Sequence, residues 1–229
     1  MKTLKKVHTG IFRDGGAGTF SKRRFRDRRK KLMAKEGQLI AVTGVPYGPG
    51  GKTTWSYAHS PTYQEPAMMH LTGINQNNVI LLLDPNSKVS DEILFVDSKN
   101  RVMEFWEGVR FGVGDEQSLK EARSVIGIQD VRDISEFKDV LKERFKKQKK
   151  KTLGTLWLEG IQRGKAVSIK TDHNFDFKKK LEGWLRSWKA PKGALKNIMK
   201  NHFELRLPLD KYDIANARKA QDITNGGYK

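Results

Sequence analysis

The chain has 229 residues, 37% of them apolar, a formal charge of +19 and no cysteine. That is enough apolar material for one large domain with a proper core, and the absence of thiols excludes disulfides, thiolate catalysis and cysteine metal sites. No run approaches the about 18–20 consecutive apolar residues of a membrane span, and the opening MKTLKKVHTGIFRDGG has charge but no apolar stretch of a secretory signal; a cytoplasmic location is expected.

Residues 1–19 read as an irregular, glycine-containing leader. Residues 21–36 read as a helix between an N-cap at Ser21 and a stop at Gly37. Phe25, Leu32 and Met33 share one face, and the arginines are expected around the rest with their heads in water. Residues 38–43 form a first strand, and a Gly/Pro/Ser/Thr-rich loop runs over about 44–66. Val79–Leu83 is continuously apolar, the pattern of a strand covered on both faces. Ile93–Val96 is a second such run, so the two read as neighbouring strands. Residues 102–106 could be a helical turn or a further strand.

Ser135–Gln148 reads as a helix, with Phe137, Val140, Leu141 and Phe145 on one stripe. Thr152–Leu158 is a strand followed by a turn at Glu159-Gly160. Phe175–Trp188 is helical, with Phe177, Leu181, Trp184, Leu185 and Trp188 aligned and Pro191 closing it. A short helix is expected over Ala194–Asn201. Residues 205–208 are expected to be extended, because proline disfavours helix in the residue before it. A last helix runs over Lys211–Thr224 and stops at Gly226-Gly227. Strands and helices alternate, which predicts an α/β domain: a mixed β-sheet flanked by helices on both faces.

The charge is concentrated. Residues 22–31, KRRFRDRRKK, hold eight basic side chains, and residues 142–151, KERFKKQKKK, hold seven. Such blocks attract polyanions by counterion release; equally, they serve as solvated helix faces.

Candidate chemistry is sparse. The stretch GVPYGPGGKTTW at 44–55 follows a strand and ends in Gly51-Lys52-Thr53, like a phosphate-binding loop. That loop requires a glycine at position 46, where Pro46 stands, and Pro46 and Pro49 lack the N–H groups that cradle phosphate. A surface loop is therefore expected. None of the five histidines forms a His-Glu-x-x-His pair. Asp172, His173 and Asp176 are the one local group resembling metal ligands, and in a single short turn they read as an N-cap. The tryptophans read as core or interface anchors.

A set of ordered motifs adds to this reading. Residues 63–73 are YQEPAMMHLTG, ahead of the Val79–Leu83 strand. Glu104–Gly112 is EFWEGVRFG, and Ile126-Gly127-Ile128, Val131 and Ile134–Phe137 follow. This order resembles the N-terminal domain of the Xaa-Pro aminopeptidases of the creatinase–prolidase group (the aminopeptidase P family). Arg23-Arg24 match the paired arginines of that family's first helix. Leu71, Thr72 and Gly73 match its "YLTGF" segment, with His70 at the usual aromatic. Trp106, Gly108, Arg110 and Gly112 match its "W-x-G-x-R-x-G" motif. Leu205–Thr224 is similar to the family's entry into its catalytic domain.

The resemblance implies a ribonuclease H-like fold over residues 20–204. It also implies a linker and the first helix of a pita-bread catalytic domain over 205–229. In this family the catalytic domain holds two metal ions, usually manganese, through two aspartates, a histidine and two glutamates. A bridged water attacks the bond before proline. Those ligands lie beyond the entry helix, so no catalytic or metal-binding residue and no cofactor is expected in this chain. Two manganese ions would belong to a full-length parent. The N-terminal domain would assist homo-oligomer assembly and narrow active-site access. Its partners would be its own catalytic domain and further copies, with peptide bound only by the whole enzyme. The alternative is a free-standing basic protein binding nucleic acid or another polyanion.

Overall fold

Continuous apolar runs become central strands and striped runs become the helices covering them. The computed structural model describes residues 22–46, 64–102, 104, 110–162, 165–168 and 173–227. The leader, most of the 44–66 loop with its Gly51-Lys52-Thr53, and the motif residues Trp106 and Gly108 lie outside the described residues. Helix α1 (Lys22–Glu36) ends where Gly37 turns the chain at φ +59°. Its Phe25, Leu32 and Met33 are buried, as their spacing predicts. Strand β1 (Leu39–Thr43) is buried throughout.

Helix α2 (Pro66–Thr72) occupies the YQEPAMMHLTG stretch, which was identified only as a motif. Proline opens its first turn, the Glu65 carboxylate accepts from Ala67 N–H, and Gly73 closes it in the left-handed region. Strands β2 (Ile80–Leu83) and β3 (Glu92–Val96) pair antiparallel, Ile80 opposite Phe95. Two elements carried no apolar signal strong enough to predict. Helix α3 (Glu116–Ile126) is capped by Asp115, which accepts from the N–H groups of Gln117 and Ser118. Strand β4 (Asp130–Asp133) is a polar edge strand, partly exposed at every residue.

Helix α4 (Phe137–Lys147), entered through a 3-10 turn at Ile134–Glu136, buries Phe137, Val140, Leu141 and Phe145. Strand β5 (Leu153–Thr155) is shorter than expected. Glu159-Gly160 is not a turn but the start of β6 (Glu159–Gln162), which pairs with β7 (Lys165–Ser168) in a separate hairpin. Helix α5 (His173–Ser187) buries Phe177, Leu181 and Leu185. The helix expected over 194–201 is corrected to strand β8 (Leu195–Asn197) followed by α6 (Met199–Arg206). The exposed parallel edge of β5 supplies the hydrogen-bond partners that local sequence could not reveal. Residues 205–206 are helical rather than extended, and Leu207 keeps helical angles before Pro208 (φ −56°, ψ −45°). Helix α7 (Lys211–Gly227) runs through the two glycines expected to stop it.

The main sheet has the order β4-β3-β2-β1-β5-β8, with only β2 antiparallel to its neighbours. Alternate residues of β1 feed two cores. Ile40 and Val42 meet Leu32, Met68, Leu71 and Ile126 of α1, α2 and α3. Leu39 and Ala41 meet Phe137, Leu141, Phe177 and Leu181 of α4 and α5. This is the mixed sheet with helices on both faces that was expected. Trp184 and Trp188 stack on one another 6.3 Å apart against the second core and are only partly exposed. No helix among the described residues is long and apolar enough to cross a membrane.

Candidate functional site

Three arginines of the first basic block, Arg24, Arg28 and Arg29, turn inward, while Arg23, Arg26, Lys30 and Lys31 stay exposed. Arg29 is completely buried: its guanidinium donates to Leu71 O (2.9 Å), Glu92 Oε2 (2.8 Å) and Ile126 O (3.3 Å). One side chain thus ties α1 to the end of α2, the start of β3 and the end of α3. Arg24 and Arg28 point to the chain ahead of α7. Arg24 Nε donates to Asp210 Oδ2 at 2.8 Å and its Nη2 pairs with Asp213. Arg28 Nη2 reaches Asp210 Oδ2 and Asp213 Oδ2, each at 2.9 Å. Burial pushes the Asp210 carboxyl up, but the Asp213 N–H and the two guanidinium charges outweigh it and hold its pKa below the usual carboxylate range. The expectation that these arginines stay in water fails because α1 lies under α7's approach, and charge buried there must be paired.

From Ile214 onward every described side chain of α7 is exposed, including Ile214 and Ile223. Phe203, Leu207 and Leu209, just before the helix, are exposed too. The clasp therefore holds the root of a helix whose described side chains from Ile214 onward are exposed.

Of the motif residues, Arg23 is exposed on α1, whereas Leu71, Thr72 and Gly73 are buried under it. Thr72 Oγ1 donates to Met68 O and accepts from Ile74 N–H, which stitches the end of α2. Gly73 has φ +73°, and a Cβ there would run into the Phe25 ring. The second motif lies alongside. Gln76 exchanges two hydrogen bonds with the Phe111 backbone (2.8 and 2.9 Å), which joins the LTG segment to Arg110–Gly112. Arg110 N–H donates to Glu104 Oε1, whose carboxylate also meets Lys99 Nζ at 2.5 Å. A Cβ at Gly112 would stand 2.8 Å from the Lys99 backbone.

Two polar groups lie near the clasp, where Arg28 Nη1 donates to His70 O at 3.1 Å. His70 of α2 and His202 of α6 meet edge to face, with ring centroids 5.2 Å apart. His70 Nδ1 and His202 Nε2 are buried without hydrogen-bond partners. Burial lowers both pKa values, to about 3 and about 4, and nearby arginines push the same way. These imidazoles are neutral packing groups. Glu65 Oε2 lies 3.0 Å from His173 Nε2 and accepts from Asn174 Nδ2 at 3.0 Å. Burial raises the Glu65 pKa, but these partners outweigh it and leave it lowered. Their only sequence signal was the pairing of a helix-opening Glu-Pro with a distant helix-opening His-Asn. Of the Asp172, His173 and Asp176 group, Asp172 lies outside the described residues and His173 turns to Glu65.

The arrangement is built to hold segments together. Among the described residues, no three histidine, aspartate or glutamate side chains converge so as to hold a metal ion.

Comparison with known proteins gives the fold a context. The model of the aminopeptidase P N-terminal domain matches residues 25–153. No curated protein sequence matches the chain. Among solved structures, Escherichia coli aminopeptidase P with the inhibitor Pro-Leu superposes with a TM-score of 0.65 at 19% identity, over 90% of this chain and 43% of that one. Pseudomonas aeruginosa aminopeptidase PepP gives 0.63 at 17%, over 87% and 41%. A putative aminopeptidase P from Bacillus anthracis gives 0.62 at 20%, over 85% and 42%. At such identities the likeness is one of fold, and the chain spans less than half the length of each. With the family model covering residues 25–153 and the same fold carrying it, the chain belongs to the aminopeptidase P N-terminal domain family.

Proposed function

We propose that this chain acts as the non-catalytic N-terminal domain of a Xaa-Pro aminopeptidase-like metallopeptidase. In this reading residues 20–204 are the domain, residues 1–19 its leader, and residues 205–229 the linker and first helix of the catalytic part. The observation that carries it is the clasped α7. Arg24 and Arg28 fix Asp210 and Asp213 at its root, while Ile214 and Ile223 stay exposed along its length. Isoleucines exposed on opposite sides of a tethered helix, with Phe203, Leu207 and Leu209 exposed just before it, leave apolar surface for a partner, and the partner proposed is the catalytic domain. That domain would hold two manganese ions and remove the residue preceding proline. The N-terminal domain would support a homo-oligomer and narrow access to the active site. Its family-motif residues Arg23, Arg24, Leu71, Thr72, Gly73, Trp106, Gly108, Arg110 and Gly112 would shape it rather than react. A cytoplasmic location goes with this role.

The test uses an Xaa-Pro peptide and manganese. The full-length gene product should release the first residue, and residues 1–229 alone should not. Release by residues 1–229, or no release by the full-length product, overturns the proposal.

A further inference from the structure

The role proposed for the domain makes no use of the second basic block, which ends in a cleft of about 810 Å³. The cleft lies far from α7. Gly37, just after the last turn of α1, lines it, whereas Arg24 in the first turn holds Asp210; the helix between them spans about 20 Å. Its walls are the β2–β3 turn, Arg132 of β4 and the last turns and exit of α4.

The carboxylates around it are already matched. Asp84 faces Arg144 Nη1 at 3.4 Å, Asp130 holds Arg132 at 2.7 Å, and Glu143 holds Lys147 at 2.5 Å. Lys88, Lys149 and Lys150 are exposed and make no ion pair among the described residues. A helix C-terminus attracts a cation or two through its dipole, but Lys88 comes from another element, and Lys149 and Lys150 lie past the last turn of α4. The excess positive charge of the cleft is thus available to a ligand. The basic surface also continues. Helices α4 and α5 lead into β5 and β8, parallel neighbours with Leu153 opposite Leu195, so both helices end at this end of the sheet. Arg186, Lys189, Lys192 and Lys196 are exposed around the end of α5, beside a second groove of about 410 Å³.

We propose that this basic edge, centred on Lys88, Lys149 and Lys150, binds single-stranded nucleic acid through its phosphates. Ammonium groups on flexible stems suit backbone charge and carry no fork for reading base edges. A notch between a turn and a helix end suits a flexible strand better than a stiff duplex, whose bending costs free energy. A membrane surface requires apolar side chains that insert. Val89 is the one exposed large apolar residue in the cleft, while Phe203, Leu207, Leu209, Ile214 and Ile223 lie around α6 and α7.

The experiment is fluorescence anisotropy of the whole chain with a dye-labelled single strand of about 20 nucleotides. Binding at about 50 mM salt should weaken steeply by about 200 mM. K88Q/K149Q/K150Q should weaken binding at least about tenfold at the lower salt and reduce the slope against log salt by up to about 2, at about 0.7 per lost contact. R26Q/K30Q/K31Q removes equal charge from the exposed side of α1 and should change affinity by no more than about twofold. K149Q/K150Q should lie between wild type and the cleft triple, which separates lost contacts from lost folding. The proposal is overturned by no binding at the lower salt or by equal losses from the two triples. Binding to phosphatidylserine vesicles without binding to the strand overturns it as well.

Discussion

Arg29→Met should be among the most damaging single substitutions in α1. It removes the 2.8 Å contact with Glu92 Oε2 and the bonds to Leu71 O (2.9 Å) and Ile126 O (3.3 Å), all from a side chain with no exposure. Methionine keeps much of the apolar stem but leaves Glu92, 7% exposed, without its cation. Breaking a buried pair from one side costs about 3–5 kcal/mol, and the two stranded carbonyls raise the expected total to about 4–6 kcal/mol. For a chain of this size that lowers Tm by roughly 10–20 °C. Removing both charges should behave differently. Arg29 Nε and Glu92 Oε1 already lack partners, so the pair is incompletely satisfied, and R29M/E92L should fall within about 2 kcal/mol of wild type. Guanidinium unfolding followed by tryptophan fluorescence and circular dichroism measures R29M, E92L and the double variant. A loss below about 1 kcal/mol for R29M, or a double variant as unstable as the sum of its parts, would refute the reasoning.

Other outcomes follow from the same geometry. D210N/D213N removes the carboxylates that Arg24 and Arg28 hold at the root of α7, so amide exchange across residues 207–227 should accelerate while β1–β3 stay protected; unchanged exchange there would count against the clasp. His70 and His202, lowered to about 3 and about 4, bind fewer protons folded than unfolded. Their contribution is complete above pH ~6.5 and declines as pH falls toward those values, by about 2 kcal/mol each at pH 5. Urea midpoints at about pH 7.5 and 5 test this, and H202F should remove about half of the difference. Gly73→Ala forces alanine to φ +73° against Phe25 and should destabilise by about 2 kcal/mol or more. Gly37→Ala, at φ +59° with open space around it, should cost only about 1–2 kcal/mol; equal losses would show that the Phe25 contact is immaterial.

Much of the fold was legible because burial leaves a periodic mark. Leu39–Thr43, Ile80–Leu83 and Glu92–Val96 hold the apolar runs that predicted central strands, and the stripes of α4 and α5 name the residues of the second core. The motif order pointed to the family, and the LTG and R-x-G segments lie together through Gln76 and Phe111. Legibility ended where a residue's state depends on a distant partner. Strand β4 has no apolar face to announce it, and β8 exists because β5 offers it an edge.

The sequence by itself determined the α/β class, the positions of the buried strands and the charge of the two basic blocks, because those follow from side-chain chemistry and spacing along one chain. Only the tertiary structure decided which charges are used up. Arg24, Arg28 and Arg29 are drawn inward by Asp210, Asp213 and Glu92, partners 63 to 189 residues away, while Lys88, Lys149 and Lys150 stay exposed. A guanidinium leaves water only where folding delivers a carboxylate to meet it, and that delivery is a property of the assembled sheet and helices rather than of any local stretch.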